Sequence, residues 1–212
     1  MKKAIVTGST KGIGRAIGQK LLLEGCRVVF NFSADAAAAQ KLEDDLDRQG
    51  YRGQYRIVQA DLSDAGACAY LLEQAGADFE SLDYLVLNAA ATWRCGLREL
   101  QMEDWERVLR TNLTVPLFLT QLCAPRMVPG GCVLFIGAVM GQHPHALSIP
   151  YGASKAGVHY LARSLVKEFK EQKPGHQEPS DTSVYPETHW RRSLTRTNCL
   201  NHSLYWRVLQ AV

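Results

Sequence analysis

An α/β fold built on a doubly wound parallel sheet is predicted by three observations. Short apolar runs alternate five times with segments of helical spacing, the runs carry no polar alternation, and a glycine-rich loop joins the first run to the first helix. A strand that is apolar at nearly every position is covered on both faces, as in a parallel sheet flanked by helices. Right-handed crossovers then wind the chain to both sides and leave a ligand crevice at the C-terminal ends of the strands.

The elements follow in order. KAIVTGS is a short buried strand that ends in glycine, and KGIGRAIGQKLLLEG after it has helical spacing, with Gly25 where a helix would stop. RVVFNF is the second strand. ADAAAAQKLEDDLDRQG is an alanine-rich helix, charged on one side and closed by Gly50. YRIVQADLSD is a strand that runs into a cap-like turn at Asp61–Ser63, and residues 64–77 form the next helix. LDYLVLNAA is a strand, MEDWERVLRTNLTVPLFLTQLCAPRM one long helix, GGCVLFIGAV a strand and YGASKAGVHYLARSLVKEFKEQ a helix. The pattern stops near Lys173. Beyond it the chain is polar and without period, so residues 1–173 are expected to form the folded domain and 174–212 an atypical, loosely packed tail. Within the tail TSVYP reads as a short strand, and SLYWRVLQAV as a final strand or a helix.

A formal net charge of +3 over 212 residues argues against a polyanionic partner, and no basic run with interleaved aromatics marks a nucleic-acid binder. The apolar stretch in MKKAIVTGS is too short for a signal segment or a membrane span, and no later stretch approaches a span. Cys26, Cys68, Cys95, Cys123, Cys132 and Cys199 are scattered, with no CxxC and no His–Cys cluster. They read as reduced, mostly buried thiols of a cytoplasmic protein with no metal site.

The loop TGSTKGIG follows the first strand and opens the first helix. Gly8 takes a positive φ for the tight turn, Gly12 lets the backbone approach a pyrophosphate, and Gly14 allows close helix–strand packing. The free N–H groups of the helix start favour an anion, so the loop reads as a dinucleotide site. Tyr151 and Lys155 are four apart on a helix and share a face. A nearby ammonium lowers a phenol whose ordinary pKa is about 10 toward useful proton exchange. Asn112 is a polar residue on an apolar helix face and must find partners. Pro116, four residues on, has no N–H to offer the Asn112 carbonyl, so the helix should kink there and free that carbonyl to hold a water.

Together, Gly8-x-x-x-Gly12-x-Gly14 after Thr7, the NAA run at 88–90, Asn112 and Tyr151-x-x-x-Lys155 resemble the short-chain dehydrogenase/reductase family over about residues 3–172. The resemblance implies a Rossmann-type sheet and hydride transfer between a nicotinamide cofactor and a carbonyl or alcohol. It implies cofactor contacts from Gly8, Ser9, Lys11, Gly12, Ile13, Gly14, Ser33, Asp61, Leu62, Asn88, Ala89, Tyr151 and Lys155. It gives Tyr151 the role of proton donor in reduction. Lys155 holds the nicotinamide ribose and tunes Tyr151, and Asn112 links Lys155 to solvent through a water. NAD-binding members place an acid at the end of the second strand. Here that place is Phe32 and no acid comes before Asp35, so NADP is expected over NAD, with Lys11 and Ser33 near its 2′-phosphate.

The sequence departs from the family in two places. The serine that usually steadies the substrate oxygen lies thirteen residues before the tyrosine, and that position is Ala138. Ser148, His143 and His145 follow in the next loop and read as ordinary loop polarity. In the tail SVYPET is the only candidate for the usual sixth strand and Pro-Gly turn, with Glu187 where the glycine would be, and the region is too short and too polar for the covering helix and seventh strand. The expectation is an NADP-dependent oxidoreductase on a small carbonyl or alcohol substrate, impaired by Ala138. The alternatives are a non-catalytic nucleotide-binding protein of the same fold, or a truncated or frame-shifted product. The resemblance also implies a homodimer paired through helices 101–128 and 151–171, with a tetramer as the larger assembly the altered tail puts in question.

Overall fold

The computed structural model describes residues 1–64, 66–171, 184–185 and 207–211, the last two stretches as backbone. Seven strands form one sheet: β1 (Lys3–Val6), β2 (Arg27–Phe32), β3 (Tyr55–Gln59), β4 (Leu82–Leu87), β5 (Met127–Ile136), β6 (Val184–Tyr185) and β7 (Arg207–Ala211). Their order is β3-β2-β1-β4-β5-β7-β6 and every pairing is parallel. The order reverses after β1, between its two neighbours β2 and β4, which is where an open α/β sheet leaves its crevice.

Alternate residues of each strand serve opposite cores. Ala4, Val6, Val28 and Phe30 pack with Ile17 and Leu22 of α1 (Gly12–Leu23) and Leu42 and Leu46 of α2 (Ala36–Arg48). Ile5, Val29, Leu85 and Leu87 pack on the other side, with Leu71 of α3 (Ala67–Ala75), Leu119 of α5 (Val115–Cys123) and Val158 of α6 (Ile149–Glu171). Both faces of the central strands are therefore sealed, which accounts for their unbroken apolar sequence.

Two expected elements differ in form. The long helix is divided: α4 (Met102–Leu109) passes into one π-helical turn at Arg110–Thr114 and only then into α5. Pro116 cannot donate to the Asn112 carbonyl, and the helix widens in the turn that holds Asn112, where Val115 N donates to the Arg110 carbonyl. Strand β5 begins at Met127, ahead of the expected start at Gly130, across a register shift opposite Leu82–Tyr84. In the tail, Val184–Tyr185 is a strand and the choice left open at the end resolves as a strand. β7 lies beside β5, with Cys132 opposite Arg207 and Ile136 opposite Ala211. Cys199 and Glu187 lie outside the described residues. No helix among the described residues is long and apolar enough to cross a membrane.

Candidate active site

The glycine loop leaves β1 at Thr7, and its shape is set by neighbours distant in sequence. The Thr7 hydroxyl accepts from the backbone N–H groups of Asn88 and Ala89, both at 3.0 Å. The Asn88 amide donates to the Thr7 carbonyl at 3.0 Å and to the Gly8 carbonyl at 2.8 Å. Asn31, in the middle of an apolar strand and only 1% exposed, accepts from Gly8 N at 3.2 Å through its side chain. The Asn31 and Ser9 backbones and the Ser9 hydroxyl bond across the same gap. Asn88 and Ser9 therefore act on the loop itself, fixing the backbone that a nucleotide would meet.

Gly8 and Gly12 both have φ +58°, the left-handed region that favours glycine. A Cβ on Gly12 would meet nothing within 4 Å, whereas one on Gly8 would sit 2.8 Å from the Ala89 backbone. Gly14 corrects the sequence reading. A Cβ there would approach Asn88 Nδ2 to 2.5 Å and the Gly8 carbonyl to 2.6 Å, so its smallness serves the loop and Asn88. The close approach of helix to strand belongs to Gly18, where a Cβ would fall 2.2 Å from the buried Phe30 ring.

Helix α1 starts at Gly12 with no side-chain cap and no acid in its first turn. Its first N–H groups lack a capping side chain, and its positive end is an arrangement that favours an anion. Ile13 is half exposed beside it. The Lys11 ammonium lies 2.9 Å from Asp35, whose other oxygen caps α2 at Ala38 N. That ion pair holds the Asp35 carboxyl below its usual range, with the Ala38 bond adding to it. Both partners are solvent-exposed, so the pair is weak and leaves Lys11 available to a stronger anion. Ser33 is exposed. Asp61 folds onto Ser63 N and Oγ in an Asx turn, as the sequence suggested, while the Leu62 side chain is buried in the core.

At the other end of the crevice, Asn112 is 1% exposed on the π turn and makes three side-chain bonds. It accepts from Ala91 N at 2.7 Å and donates to the Ala91 carbonyl at 2.9 Å and to Ser154 Oγ at 2.9 Å. Ser154 in turn donates to the Tyr151 carbonyl at 2.7 Å. The chain after β4, the widened helix and the first turns of α6 are thus joined at one point. Lys155 Nζ lies 5.7 Å from the Tyr151 ring centroid and donates to the Ile136 carbonyl at 2.7 Å, at the end of β5. Burial lowers the Lys155 ammonium to about 8.

Ala138 follows β5 with extended backbone, and its carbonyl accepts from Gly141 N. Gly141 rests directly on α6, where a Cβ would lie 2.7 Å from the Lys155 backbone. This contact fixes the segment after Ala138 against α6 at Lys155. Of the loop groups considered as replacements for the missing hydroxyl, Ser148 is buried with Oγ turned to Met140 Sδ at 3.5 Å. His143 and His145 are exposed, and His145 bonds to its neighbour's carbonyl.

Sequence reading missed Asn31, Ser154, Gly18 and Gly141. A lone amide inside RVVFNF was a usable signal for Asn31, since a polar side chain in a doubly covered strand needs dedicated partners. The others depend on contacts that no local pattern carries.

The model of the short chain dehydrogenase family matches residues 2–173. The chain belongs to the short chain dehydrogenase family. A family relative, the 3-oxoacyl-[acyl-carrier-protein] reductase FabG of Staphylococcus aureus, is 30% identical over 170 residues, covering 79% of this chain and 68% of that protein. The (3R)-3-hydroxyacyl-CoA dehydrogenase of Canis lupus familiaris is 35% identical over 175 residues, covering 78% and 67%. Among solved structures, that of the landomycin C-6 ketoreductase LanV with bound NADP and rabelomycin superposes with a TM-score of 0.75 at 26% identity, over 81% of this chain and 71% of that one. Short-chain dehydrogenase/reductase FrzI of Cladobotryum sp is 28% identical, and the chain spans 64% of its length.

Proposed function

We propose that this protein is an NADP(H)-dependent oxidoreductase that interconverts a carbonyl and an alcohol. The observation that carries the reading is the joining of Asn112, Ser154 and Tyr151 by hydrogen bonds, with Lys155 beside Tyr151 and an uncapped glycine-rich helix start in the same crevice. A bound nicotinamide would supply or accept the hydride. Gly8, Gly12, Ile13 and Gly14 would hold its pyrophosphate, Asn88, Ala89 and Ser9 would keep that loop in shape, and Asp61 and Leu62 would border the adenine. Lys11 and Ser33 would meet a 2′-phosphate, and LanV, a relative in fold and sequence, carries NADP. Tyr151 gives its proton to the carbonyl oxygen in reduction. Lys155 favours the resulting phenolate, and the Asn112 carbonyl, deprived of its helical donor by Pro116, holds the water that returns the proton.

Ala138 supplies no hydrogen bond to the substrate oxygen, and one such donor is worth about 3–4 kcal/mol. The wild-type protein therefore reduces simple ketones slowly while binding NADPH well. A nucleotide-binding protein without catalysis is the second reading, and Ala138 is the observation that favours it.

The two readings separate in one set of measurements. Calorimetric titration should show NADPH binding more tightly than NADH, with NADPH weakened in Lys11→Ala. Equal affinities would remove the preference for NADP. Ala138→Ser should raise ketone turnover by up to about a thousand-fold without altering NADPH affinity, and Tyr151→Phe should abolish the gain. If the serine variant turns over no ketone, the non-catalytic reading stands.

A homodimer through helices 101–128 and 151–171 completes the proposal. A groove of about 600 Å³ between α3 and the α4–α5 segment is lined by Leu109, Val115, Phe118 and Leu122, of which Phe118 and Leu122 are exposed. A monomer by light scattering at micromolar concentration would overturn it. The free thiols at Cys26, Cys68, Cys95, Cys123 and Cys132 fit a cytoplasmic location.

A further inference from the structure

The segment after β4 is a strap pinned at two points beside the candidate site. Its first anchor is Ala91, whose N–H and carbonyl are both held by Asn112. Its second is Cys95 N, which donates at 3.1 Å to the carbonyl of Leu147, just before the start of α6. Leu147 has φ +62°, a costly conformation for a leucine, and it presents that carbonyl to the strap. Trp93 stands midway, two residues and therefore at most about 7 Å of backbone from either anchor. Both anchors belong to the surroundings of Tyr151: Asn112 bonds Ser154, and Leu147 lies four residues ahead of Tyr151. Trp93 is thus tied to the head of the catalytic helix. The Arg107 guanidinium lies 5.2 Å from its ring centroid and braces it, and the indole is still 39% exposed.

A second observation is independent of the strap. Ala138 cannot donate to the substrate oxygen, and among the described groups nearby Ser148 Oγ is turned to a methionine sulfur. Negative charge that develops on that oxygen still needs a donor besides Tyr151.

From these two features we infer the substrate class: a planar aryl ketone with a phenolic O–H next to the carbonyl, stacked on Trp93. The inference rests on the oxidoreductase reading above. In such a ketone the phenol donates to the carbonyl oxygen inside the substrate, so the substrate brings the donor that Ala138 lacks. This internal bond strengthens as charge grows on the acceptor. It also flattens the molecule, and a flat aromatic face is what an exposed, braced indole takes. In reduction the carbonyl carbon gains a hydride, the carbonyl oxygen gains the Tyr151 proton, and the nicotinamide is oxidised. The substrate phenol keeps its own proton, and Tyr151 is reprotonated from water.

The test compares 1-hydroxy-2-acetonaphthone with its 1-methoxy ether, which keeps the ring and the electron donation but has no O–H. On wild-type protein with NADPH, kcat/KM for the hydroxy ketone should exceed that for the ether by about a hundred-fold or more. In Ala138→Ser the ratio should collapse to within about ten-fold, because the enzyme then donates to both. Binding is read apart from turnover, by calorimetry of each ketone with the full chain and NADP. Trp93→Ala should weaken both ketones about ten-fold, and Trp93→Phe should restore most of the affinity. Equal turnover of ketone and ether by wild-type protein would overturn the internal-donor argument, and unchanged affinity in Trp93→Ala the stacking. If neither ketone turns over even in Ala138→Ser while NADPH still binds, the oxidoreductase reading itself fails and takes this inference with it.

Discussion

Replacing Lys155 by methionine should make the unliganded protein more stable at neutral pH, and the gain should vanish in alkali. Burial lowers the Lys155 pKa from 10.5 to about 8. At about 1.4 kcal/mol for each pH unit, the folded state carries a penalty of about 3 kcal/mol at pH 7 for keeping this ammonium away from water. Lys155→Met keeps a similar length and apolar stem, removes the charge, and leaves the Ile136 carbonyl without its 2.7 Å donor. That loss costs about 1–2 kcal/mol. The net change at neutral pH is a stabilisation of about 1–2 kcal/mol. The sign of the pH dependence follows from proton counting. Between about pH 8 and about pH 10.4 the unfolded lysine binds a proton that the folded one does not, so wild-type stability rises with pH through that window. The methionine variant has no such term, so its advantage should shrink by about 2.5 kcal/mol between about pH 7 and about pH 10. Urea unfolding of both proteins across that range, with the difference in midpoint converted through a common slope, measures it. A difference independent of pH would refute the argument and mean that the ammonium is well solvated in the fold.

Other variants test the remaining contacts. Asn112→Ala leaves the part-buried Ala91 backbone and the buried Ser154 hydroxyl without their Asn112 bonds and should cost about 2–4 kcal/mol in urea unfolding. Gly14→Ala drives a methyl against Asn88 and the Gly8 carbonyl and should weaken NADPH at least about ten-fold, read by calorimetry. Cys123 is fully buried with its thiol pushed up to about 12, so it should resist a thiol reagent in native buffer and react on unfolding. Gly18→Val puts branched carbons into the Phe30 ring and should lower stability by about 1–3 kcal/mol, seen as a fall in Tm.

Much of this architecture could be read from local pattern. The strands are uniformly apolar because both faces are covered, and glycines mark the turns where φ is positive. The pair Asn112–Pro116 carried the break in the long helix, because a missing N–H four residues on is a local fact. What escaped is long-range. Thr7 and Asn88 meet across 81 residues, and Asn31 reaches the loop from the neighbouring strand. Gly14 was assigned the wrong neighbour for the same reason: its need for smallness comes from Asn88, which no spacing within the loop reveals. The strap that carries Trp93 was equally invisible, since its anchors lie in two other segments of the chain.

The π turn at Arg110–Thr114 also acts as a phase shifter. In a regular helix each residue advances the azimuth by about 100°, and the wide turn takes up an extra residue without passing that rotation on. Upstream, the segment directs Val108 inward. Downstream, it directs Leu119 and Cys123 into the main core, while Arg110 and Thr114 border the groove. Deleting one residue from 110 to 114 would close the helix into regular form and leave everything after it in its present phase. Leu119 and Cys123 would keep facing the core, whereas a deletion within the regular turns of α4 or α5 would swing the residues beyond it by about 100° and carry them out. Length in these five positions is therefore constrained less tightly than in the flanking regular turns, and a single-residue deletion there that spares Asn112 should be better tolerated than one within α4 or α5.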